Sequence, residues 1–278
     1  MDPLTVAAVQ ADPVPGAVAD NAATAARLVG QAADAGAALV VLPELFLPAY
    51  HPPTLHADPA ATDLFPGPDG RIDDGRLDAL RSAARERSVV VVVGASIGYA
   101  GGRRACSAVV VTRAGEALVA YDKQHLCGPE ETALFTPGTA GATLVVDGWR
   151  LGLAICYDGC FPEHGRAAAG DGAHGYLVPS GYVAGSAHRR DVYYAARALD
   201  NSMYVAFANS VGGAPPWEFN GGAAVYDPEG RPLVRAADAG EAVVVATLDP
   251  AEVARVRDTH TMLRDRRELG ERRTVIAI

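Results

Sequence analysis

The sequence predicts a layered α/β sandwich built as one domain. Apolar segments of strand length alternate with alanine-rich segments of helical spacing, and short β segments lie between them as hairpins. This alternation favours a layered α/β fold over an all-α or an all-β fold. No repeat, low-complexity stretch or long linker divides the 278 residues. We therefore expect a single domain over residues 1–278, with a C-terminal tail over about 258–278.

Strands and helices alternate clearly in the first third of the chain. The predicted strands are apolar runs, at 4–10, 38–42 and 89–93. The predicted helices are alanine-rich or amphipathic, at 21–36 and 76–87. Pro43 ends the second strand because proline has no N–H to donate to a neighbouring strand. The interval 50–74 is rich in proline, aspartate and glycine, so it is predicted to be a long loop.

The remaining elements continue the same alternation. Short β segments are predicted first, at 106–112, 117–121, 143–146 and 150–155. Later strands are predicted at 176–179, 204–209, 223–226 and 242–248. Helices are predicted at about 162–169, 187–200 and 250–257, before a basic segment and an apolar tail at 274–278.

Composition excludes several classes of function. A net charge of −9 argues against a nucleic-acid-binding surface, which needs a basic stripe. No apolar run approaches the roughly 18 residues that span a bilayer, and residues 1–4 carry an acid instead of the basic residues of a secretory signal. We therefore expect a cytoplasmic protein with no membrane partner. Its cysteines are then expected to be reduced: Cys106, Cys127, Cys156 and Cys160.

The basic residues are unusual in kind. Lys123 is the single lysine among 24 basic residues, and the others are arginine. Arginine is planar and always protonated, whereas lysine is a compact ammonium with an adjustable pKa. The sequence thus indicates that the environment of Lys123 requires a compact ammonium and does not accept arginine. The alternative is a surface lysine left by chance.

Three reactive side chains follow predicted strands. Glu44 follows the second strand, Lys123 follows a third, and Cys156 ends the apolar run 151–155. Active sites of α/β sheets gather outside the carboxyl ends of strands, so these three are expected to meet. A partly desolvated carboxylate suits a general base, and turn N–H groups beside a cysteine suit an oxyanion. Taken singly, a buried structural cysteine or a capping glutamate is the alternative.

The segments around these residues resemble the nitrilase superfamily of carbon–nitrogen hydrolases. Three segments match its motifs in order and spacing: Leu42-Pro43-Glu44, Tyr121-Asp122-Lys123-Gln124-His125-Leu126 and Gly152-Leu153-Ala154-Ile155-Cys156-Tyr157-Asp158. The resemblance implies a four-layer α-β-β-α sandwich, usually dimerised, and a homodimer or higher homo-oligomer is therefore expected. It also implies hydrolysis of a non-peptide carbon–nitrogen bond of a small molecule.

The same resemblance implies roles for the residues. Glu44 is expected to be the base, Cys156 the nucleophile that forms a thioester, and Lys123 the oxyanion stabiliser, together with the backbone N–H of Tyr157. No metal or organic cofactor is required. The family's second glutamate stands seven residues before the glycine of a Pro-Gly motif.

Counting back from Gly138 gives Glu131 as this second glutamate, with Glu130 the alternative if the loop has slipped by one residue. Its expected role is to orient the substrate and the base.

The substrate is only partly indicated. Cys156-Tyr157-Asp158 differs from the Cys-Trp-Glu of true nitrilases, which favours an amide or N-carbamoyl substrate over a nitrile. Acyl transfer to an amine and nitrile hydrolysis remain alternatives. Arg189 and Arg190 begin a predicted helix, where one of them can clamp a substrate carboxylate or both can be solvated.

Aromatic loop residues are further candidates for the pocket, or else they are packing residues: Tyr50, His51, Trp217 and Phe219.

Two other chemistries are weaker matches. Ser96 lies in a Gly-X-Ser-X-Gly pattern of serine hydrolases, but a hairpin follows it where that motif needs a helix. Cys156, Cys160 and His164 are spaced by four residues as metal ligands on one helix would be. Pro162 interrupts that run, and the spacing is not that of a typical zinc pair.

Overall fold

The computed structural model describes residues 1–267 and 274–276. Its strands are β1 Leu4–Gln10, β2 Leu39–Val41, β3 Asp63–Leu64, β4 Arg71–Ile72, β5 Val90–Gly98, β6 Arg104–Val111, β7 Ala117–Asp122, β8 Ala142–Val146, β9 Trp149–Leu153, β10 Gly175–Ser180, β11 Tyr204–Asn209, β12 Val211–Gly212, β13 Phe219–Asn220, β14 Ala224–Tyr226, β15 Pro232–Arg235 and β16 Ala242–Leu248. Its α-helices are α1 Val18–Asp34, α2 Pro52–Ala57, α3 Pro59–Thr62, α4 Asp78–Arg87, α5 Gly128–Leu134, α6 Pro162–Gly170, α7 Ala187–Asn201, α8 Pro250–Thr259 and α9 Met262–Asp265. Short 3-10 helices occur at Gly75–Leu77, Ala100–Gly102 and Cys156–Cys160.

Two mixed sheets form the centre of the molecule. The first has the strand order β16-β1-β2-β5-β6-β7-β4, with β3 also paired to β5. The second has the order β15-β14-β11-β10-β9-β8. The neighbouring strands β1, β2 and β5 are parallel, and so are β9, β10 and β11. Parallel neighbours end at the same edge, which is where the site described below is built.

Four layers follow from how the faces of these sheets are covered. Along β1, Val6 and Ala8 point into the core between the two sheets, whereas Ala7 and Val9 point into the core beneath α1 and α4. This alternation is the period of a strand buried on both faces. The helices α6 and α7 pack on the second sheet. The predicted α-β-β-α sandwich is therefore confirmed.

Most predicted elements match, and the differences lie in loops. The interval 50–74 contains α2, α3, β3 and β4, because prolines at the first turn start helices as readily as they end strands. The strand predicted at 89–93 continues to Gly98, and the strand predicted at 150–155 ends at Leu153. Sequence reasoning did not predict α5, α9, β12, β13 or β15.

The C-terminal part is described only in places. The helices α8 and α9 carry the chain to Asp265, and residues 274–276 of the predicted apolar tail are exposed. Residues 268–273 and 277–278 lie outside the described part. Among the helices that the structure describes, none has the length and apolar character that crossing a bilayer requires.

Candidate active site

The three side chains expected to meet do so between the two sheets. Glu44 follows β2, Lys123 follows β7, and Cys156 lies three residues after β9. The Lys123 ammonium donates to Glu44 Oε1 at 2.6 Å, and both side chains are fully buried. The thiol of Cys156 is close enough to this pair to influence the pKa of both Glu44 and Lys123.

The position of Glu44 depends on a close approach of two loops. Its backbone N–H donates to Ser180 O at 3.2 Å, which ties the end of β2 to the end of β10. On β5, a Cβ at Gly94 would stand 2.2 Å from the backbone nitrogen of Leu45 and 2.4 Å from Pro43 O. Only glycine leaves room for the Glu44 loop to cross β5 here.

Lys123 is held by a second carboxylate. Its ammonium donates to both oxygens of Glu131, at 2.8 and 2.7 Å. Glu131 also accepts from the backbone N–H of Cys127 at 2.9 Å and from the Tyr50 hydroxyl at 2.7 Å. Glu130 is exposed, so the structure brings Glu131 to the site and leaves Glu130 outside it.

Cys156 is held in a conformation unusual for a residue with a side chain. Its φ is +44°, in the left-handed region, at the start of the 3-10 helix Cys156–Cys160. The hydroxyl of Tyr194 donates to the Cys156 carbonyl at 2.8 Å, and the N–H of Gly181 acts as a donor to its sulfur. Strain of this kind persists only where the surroundings fix it, and it is typical of functional residues.

The pKa values of Glu44, Cys156 and Lys123 determine which of these groups carries a proton at neutral pH. Burial raises the pKa of Glu44 to about 7, against the lowering charge of Lys123 and with the raising charge of Glu131. Burial and the neighbouring Glu44 raise the pKa of Cys156 well above its usual value. For Lys123, burial lowers the pKa, but the two carboxylates outweigh it and hold the pKa well above normal. At neutral pH the site therefore holds a thiol, a permanent ammonium and a base near its midpoint.

One oxygen of the base is free. Glu44 Oε2 is buried and has no hydrogen-bond partner in the part of the chain that the structure describes. A Cβ at Gly181 would stand 3.2 Å from it, so the oxygen points toward the loop that also faces the Cys156 sulfur. A buried unpartnered carboxylate oxygen costs free energy unless a proton, water or substrate meets it.

Beside Cys156 is a cavity of about 310 Å³. Its lining residues include Cys127, Cys156, Tyr157, Cys160, Gly181, Tyr182, Val183, Ser186, Arg189 and Tyr193. Tyr157, whose backbone N–H was predicted to hold an oxyanion, is thus placed beside the sulfur. Arg189 belongs to the same wall.

The other predicted binding residues take different places. Tyr50 is part of the Glu131 cluster. His51 and Trp217 contact each other edge to face, with centroids 5.1 Å apart, in a second cavity of about 400 Å³ that Tyr50 and Phe219 also line. Arg190 does not face the Cys156 cavity, which corrects its prediction as a substrate clamp. It is fully buried, and it donates to Asp191, Asp238 and the Asn220–Gly221 backbone.

The two rival chemistries find no matching geometry. Ser96 is fully buried, and its hydroxyl donates to Asp63 at 2.5 Å, a carboxylate that Arg104 already pairs. His164 has one ring nitrogen against the Tyr121 hydroxyl at 2.9 Å and the other against the Tyr176 hydroxyl at 2.7 Å. Both ring nitrogens are thus occupied, and neither is left to complete a metal site with the cysteines.

Sequence reasoning missed two supporting residues. Cys106, on β6, contacts Glu44 Oε1 through its sulfur at 3.6 Å. The buried carboxylate of Asp158 accepts from Tyr121 OH at 2.8 Å, Ile155 N at 3.0 Å, His125 N at 2.9 Å and His125 Nδ1 at 2.8 Å. It thereby joins the turn of the cysteine to the loop of the lysine. Its place in the third matched motif was a signal, but its partners are distant in sequence.

Comparisons with known proteins agree with this geometry. The family model described as carbon-nitrogen hydrolase matches residues 5–258. The chain is 40% identical to an (R)-stereoselective amidase of a Pseudomonas species over 69% of each chain. It is 32% identical to a Pseudomonas protegens protein named hydrolase in the pqqF 5′ region, over 95% of this chain and 89% of that protein.

Solved structures give the same result. A double mutant of the amidase from Nesterenkonia sp. AN1 in complex with acrylamide superposes with a TM-score of 0.80 at 30% identity, covering 95% of this chain and 94% of that one. Another mutant of that amidase shows covalent addition of the acetamide moiety of fluoroacetamide at its active site cysteine, with a TM-score of 0.78 at 30% identity and the same coverage of both chains.

Proposed function

Because the chain belongs to the carbon–nitrogen hydrolase family, we propose that it hydrolyses a small amide through a thioester on Cys156. It is an amidase-type enzyme, and the residue roles within it are the proposal. The observation that carries them is the contact of Glu44 with Lys123 at 2.6 Å, beside a neutral thiol. A thiol with a raised pKa attacks only if a base takes its proton, and the Cys156 thiol is within hydrogen-bonding reach of the Glu44 carboxylate.

The first half of the reaction forms the thioester. Glu44 takes the thiol proton as the Cys156 sulfur attacks the amide carbonyl carbon. The carbonyl oxygen becomes an oxyanion, held by the Lys123 ammonium and the N–H of Tyr157. Glu44 then gives its proton to the departing nitrogen, so the carbon–nitrogen bond breaks and an amine or ammonia leaves.

The second half releases the acid. Glu44, again a carboxylate, takes a proton from water, and the hydroxide attacks the thioester carbonyl. The same oxyanion donors act again, the carbon–sulfur bond breaks, and the proton on Glu44 returns to the sulfur. A pKa of about 7 suits Glu44 to both directions of transfer near neutral pH.

Glu131 is assigned a positioning role. Two of its contacts hold Lys123, and a third holds Tyr50. Its charge also raises the pKa of Glu44, which opposes the lowering effect of Lys123.

Intact-protein mass spectrometry tests the proposal directly. After mixing with a simple amide such as propionamide, the wild type should show a transient acyl adduct that maps to Cys156, together with ammonia release. Cys156→Ala should give neither, while Cys127→Ala, which removes an exposed thiol and keeps the backbone N–H that Glu131 accepts, serves as the matched cysteine control and should keep the adduct on Cys156. An adduct at another cysteine, or turnover by Cys156→Ala, would overturn the assignment.

An N-carbamoyl substrate, a cytoplasmic location and a homodimer stay predictions. The amidase relatives support an amide more directly than a carbamoyl group. Two exposed aliphatic side chains on α7, Val192 and Leu199, are consistent with a partner subunit on that helix. Light scattering on the eluting protein, with Leu199→Arg as the variant, tests the dimer.

A further inference from the structure

Cys106 reaches the base from the strand β6. Its side chain lies on the face of β6 that is buried between the two sheets, as those of Ala108 and Val110 do. Its sulfur stands 3.6 Å from Oε1 of Glu44, and the residue is 1% exposed. Its carbonyl accepts the backbone N–H of Lys123 at 2.8 Å. Cys106 therefore contacts both the base and the backbone of the lysine that pairs with it.

The contact between Cys106 and Glu44 has a fixed direction. Burial raises the pKa of the Cys106 thiol well above its usual value, and the charge of Glu44 raises it further, against the lowering charge of Lys123. The thiol therefore keeps its proton at neutral pH. An ionised carboxylate can only accept a hydrogen bond, so the S–H of Cys106 donates to Oε1 of Glu44.

The two oxygens of Glu44 differ in their partners. Oε1 accepts from the Lys123 ammonium at 2.6 Å and from the Cys106 thiol. Oε2 is buried and has no hydrogen-bond partner within the described ranges 1–267 and 274–276. A carboxylate oxygen has two lone pairs, so two donors occupy Oε1, and a proton that arrives at Glu44 is directed to Oε2.

Filling space would not require a thiol at this position. The next two residues on the same face of β6, Ala108 and Val110, are aliphatic and are buried in the same core. Cys106 differs from them in offering a weak hydrogen-bond donor beside a buried carboxylate. It does so without adding a charge to a cluster that already contains two carboxylates and one ammonium.

We propose that Cys106 is a positioning residue for the base. Its S–H and the Lys123 ammonium together hold Oε1 of Glu44, and Oε2 is the oxygen that takes the proton of the Cys156 thiol. That proton passes from the Cys156 sulfur to Oε2 and later to the departing nitrogen, while the proton of Cys106 stays on its own sulfur. This inference rests on the proposed function of the same site.

The Cys106 thiol also affects how readily Glu44 ionises. A donor to the ionised form favours that form, so removing the donor should raise the pKa of Glu44. Titratable groups from the surrounding elements also act on Glu44 or are affected by its charge, and a change at Cys106 leaves them all in place: Tyr50, Lys123, Cys127, Glu131 and Cys156.

The pH dependence of kcat/KM measures this effect. Ammonia release from propionamide, followed from about pH 5 to 9, has an ascending limb that reports the ionisation of Glu44 in the free enzyme. Cys106→Ala removes the donor and leaves space, whereas Cys106→Val removes it and also excludes a replacing water. In both variants we expect the limb to move up by about half a pH unit, which is about a threefold loss of kcat/KM at a fixed pH on that limb.

Val110→Ala is the matched control. It removes packing from the same face of β6, at a site about 13 Å along the strand from Cys106. Urea denaturation should show a loss of stability for Val110→Ala, while its ascending limb stays at the wild-type pH. If Cys106 served packing alone, its variants would behave in the same way as this control.

Two results would overturn the inference. One is an ascending limb of Cys106→Ala and Cys106→Val that coincides with that of the wild type, and the other is a Val110→Ala limb that moves as far as theirs. In both cases the amidase function stands, because ammonia is released. A wild type that releases no ammonia and forms no adduct on Cys156 instead contradicts the proposed function itself.

Discussion

Replacing Glu44 by glutamine should abolish turnover. It should also make the folded protein more stable than the wild type at alkaline pH, by an amount that disappears at acid pH. An unfolded glutamate releases its proton near 4.5, whereas Glu44 in the fold holds it up to about 7. Between these values the folded state binds more protons, so the free energy of unfolding falls as the pH rises. Glutamine has no proton to lose, and this component of the pH dependence disappears.

The size of the effect follows from the same two values. Each pKa unit corresponds to about 1.4 kcal/mol. The rise from 4.5 to about 7 therefore gives a penalty of about 3 kcal/mol, fully present above pH 7 and absent below pH 4.5. No discount for solvent screening applies, because Glu44 is fully buried. The difference in unfolding free energy between Glu44→Gln and the wild type should shift by about 3 kcal/mol in favour of the variant across this range.

Urea denaturation at a series of pH values from about 4.5 to 8 measures this difference directly. Glu86→Gln, an exposed glutamate on α4, is the matched control and should follow the wild-type curve. A Glu44→Gln curve parallel to that of the wild type would show that Glu44 does not ionise near pH 7, and the acid–base role would lose its basis. Residual turnover by the variant would refute that role separately.

Three further predictions concern neighbouring residues. Lys123→Arg should lower kcat about a hundredfold or more in an ammonia-release assay, because three contacts of 2.6–2.8 Å leave no room for a planar guanidinium. An active variant would refute the argument that the site needs a compact ammonium. Asp158→Asn should lower kcat at least about tenfold with a smaller change in KM, because the amide NH₂ faces two donors that the carboxylate accepted; an unchanged kcat would deny it a positioning role. Ser96→Ala should keep wild-type kcat and lose stability in denaturation, since its hydroxyl pairs with buried Asp63; inactivity in a folded variant would revive the serine-hydrolase alternative.

Local sequence patterns predicted the parts of this structure that depend on nearest neighbours. Period and composition were enough for β1, β11 and β16, whose predicted bounds match the observed ones. The strand exits also indicated where Glu44, Lys123 and Cys156 would stand. Short elements such as α5 were missed because Gly128 and Pro129 read as loop residues, although proline in the first turn suits a helix start.

What the sequence did not reveal are contacts between segments far apart in the chain. Arg189 and Arg190 are adjacent and chemically identical, yet one lines a cavity and the other is fully buried. Their difference is set by Asp238 and the Asn220–Gly221 backbone, which reach Arg190 from 30 to 48 residues away. Within α7, helical spacing places Arg190 on the buried face with Tyr194 and Arg197, but it does not reveal the partners that the buried guanidinium meets.

The residues of the site can be identified from the sequence, whereas the pKa of Glu44 depends on contacts between segments far apart in the chain. With Lys123 as its only neighbour, Glu44 would have a low pKa and would be a poor base. Burial without a charged neighbour would have the opposite effect and would raise the pKa of Glu44. Glu131 acts against the effect of Lys123, because it pairs with the ammonium and its own charge raises the pKa of Glu44. The pKa of about 7 is therefore a property of three residues, Glu44 and Lys123 from two strand exits and Glu131 from a helix. Each of them is recognisable in the sequence, but their balance exists only when the sheets bring them together.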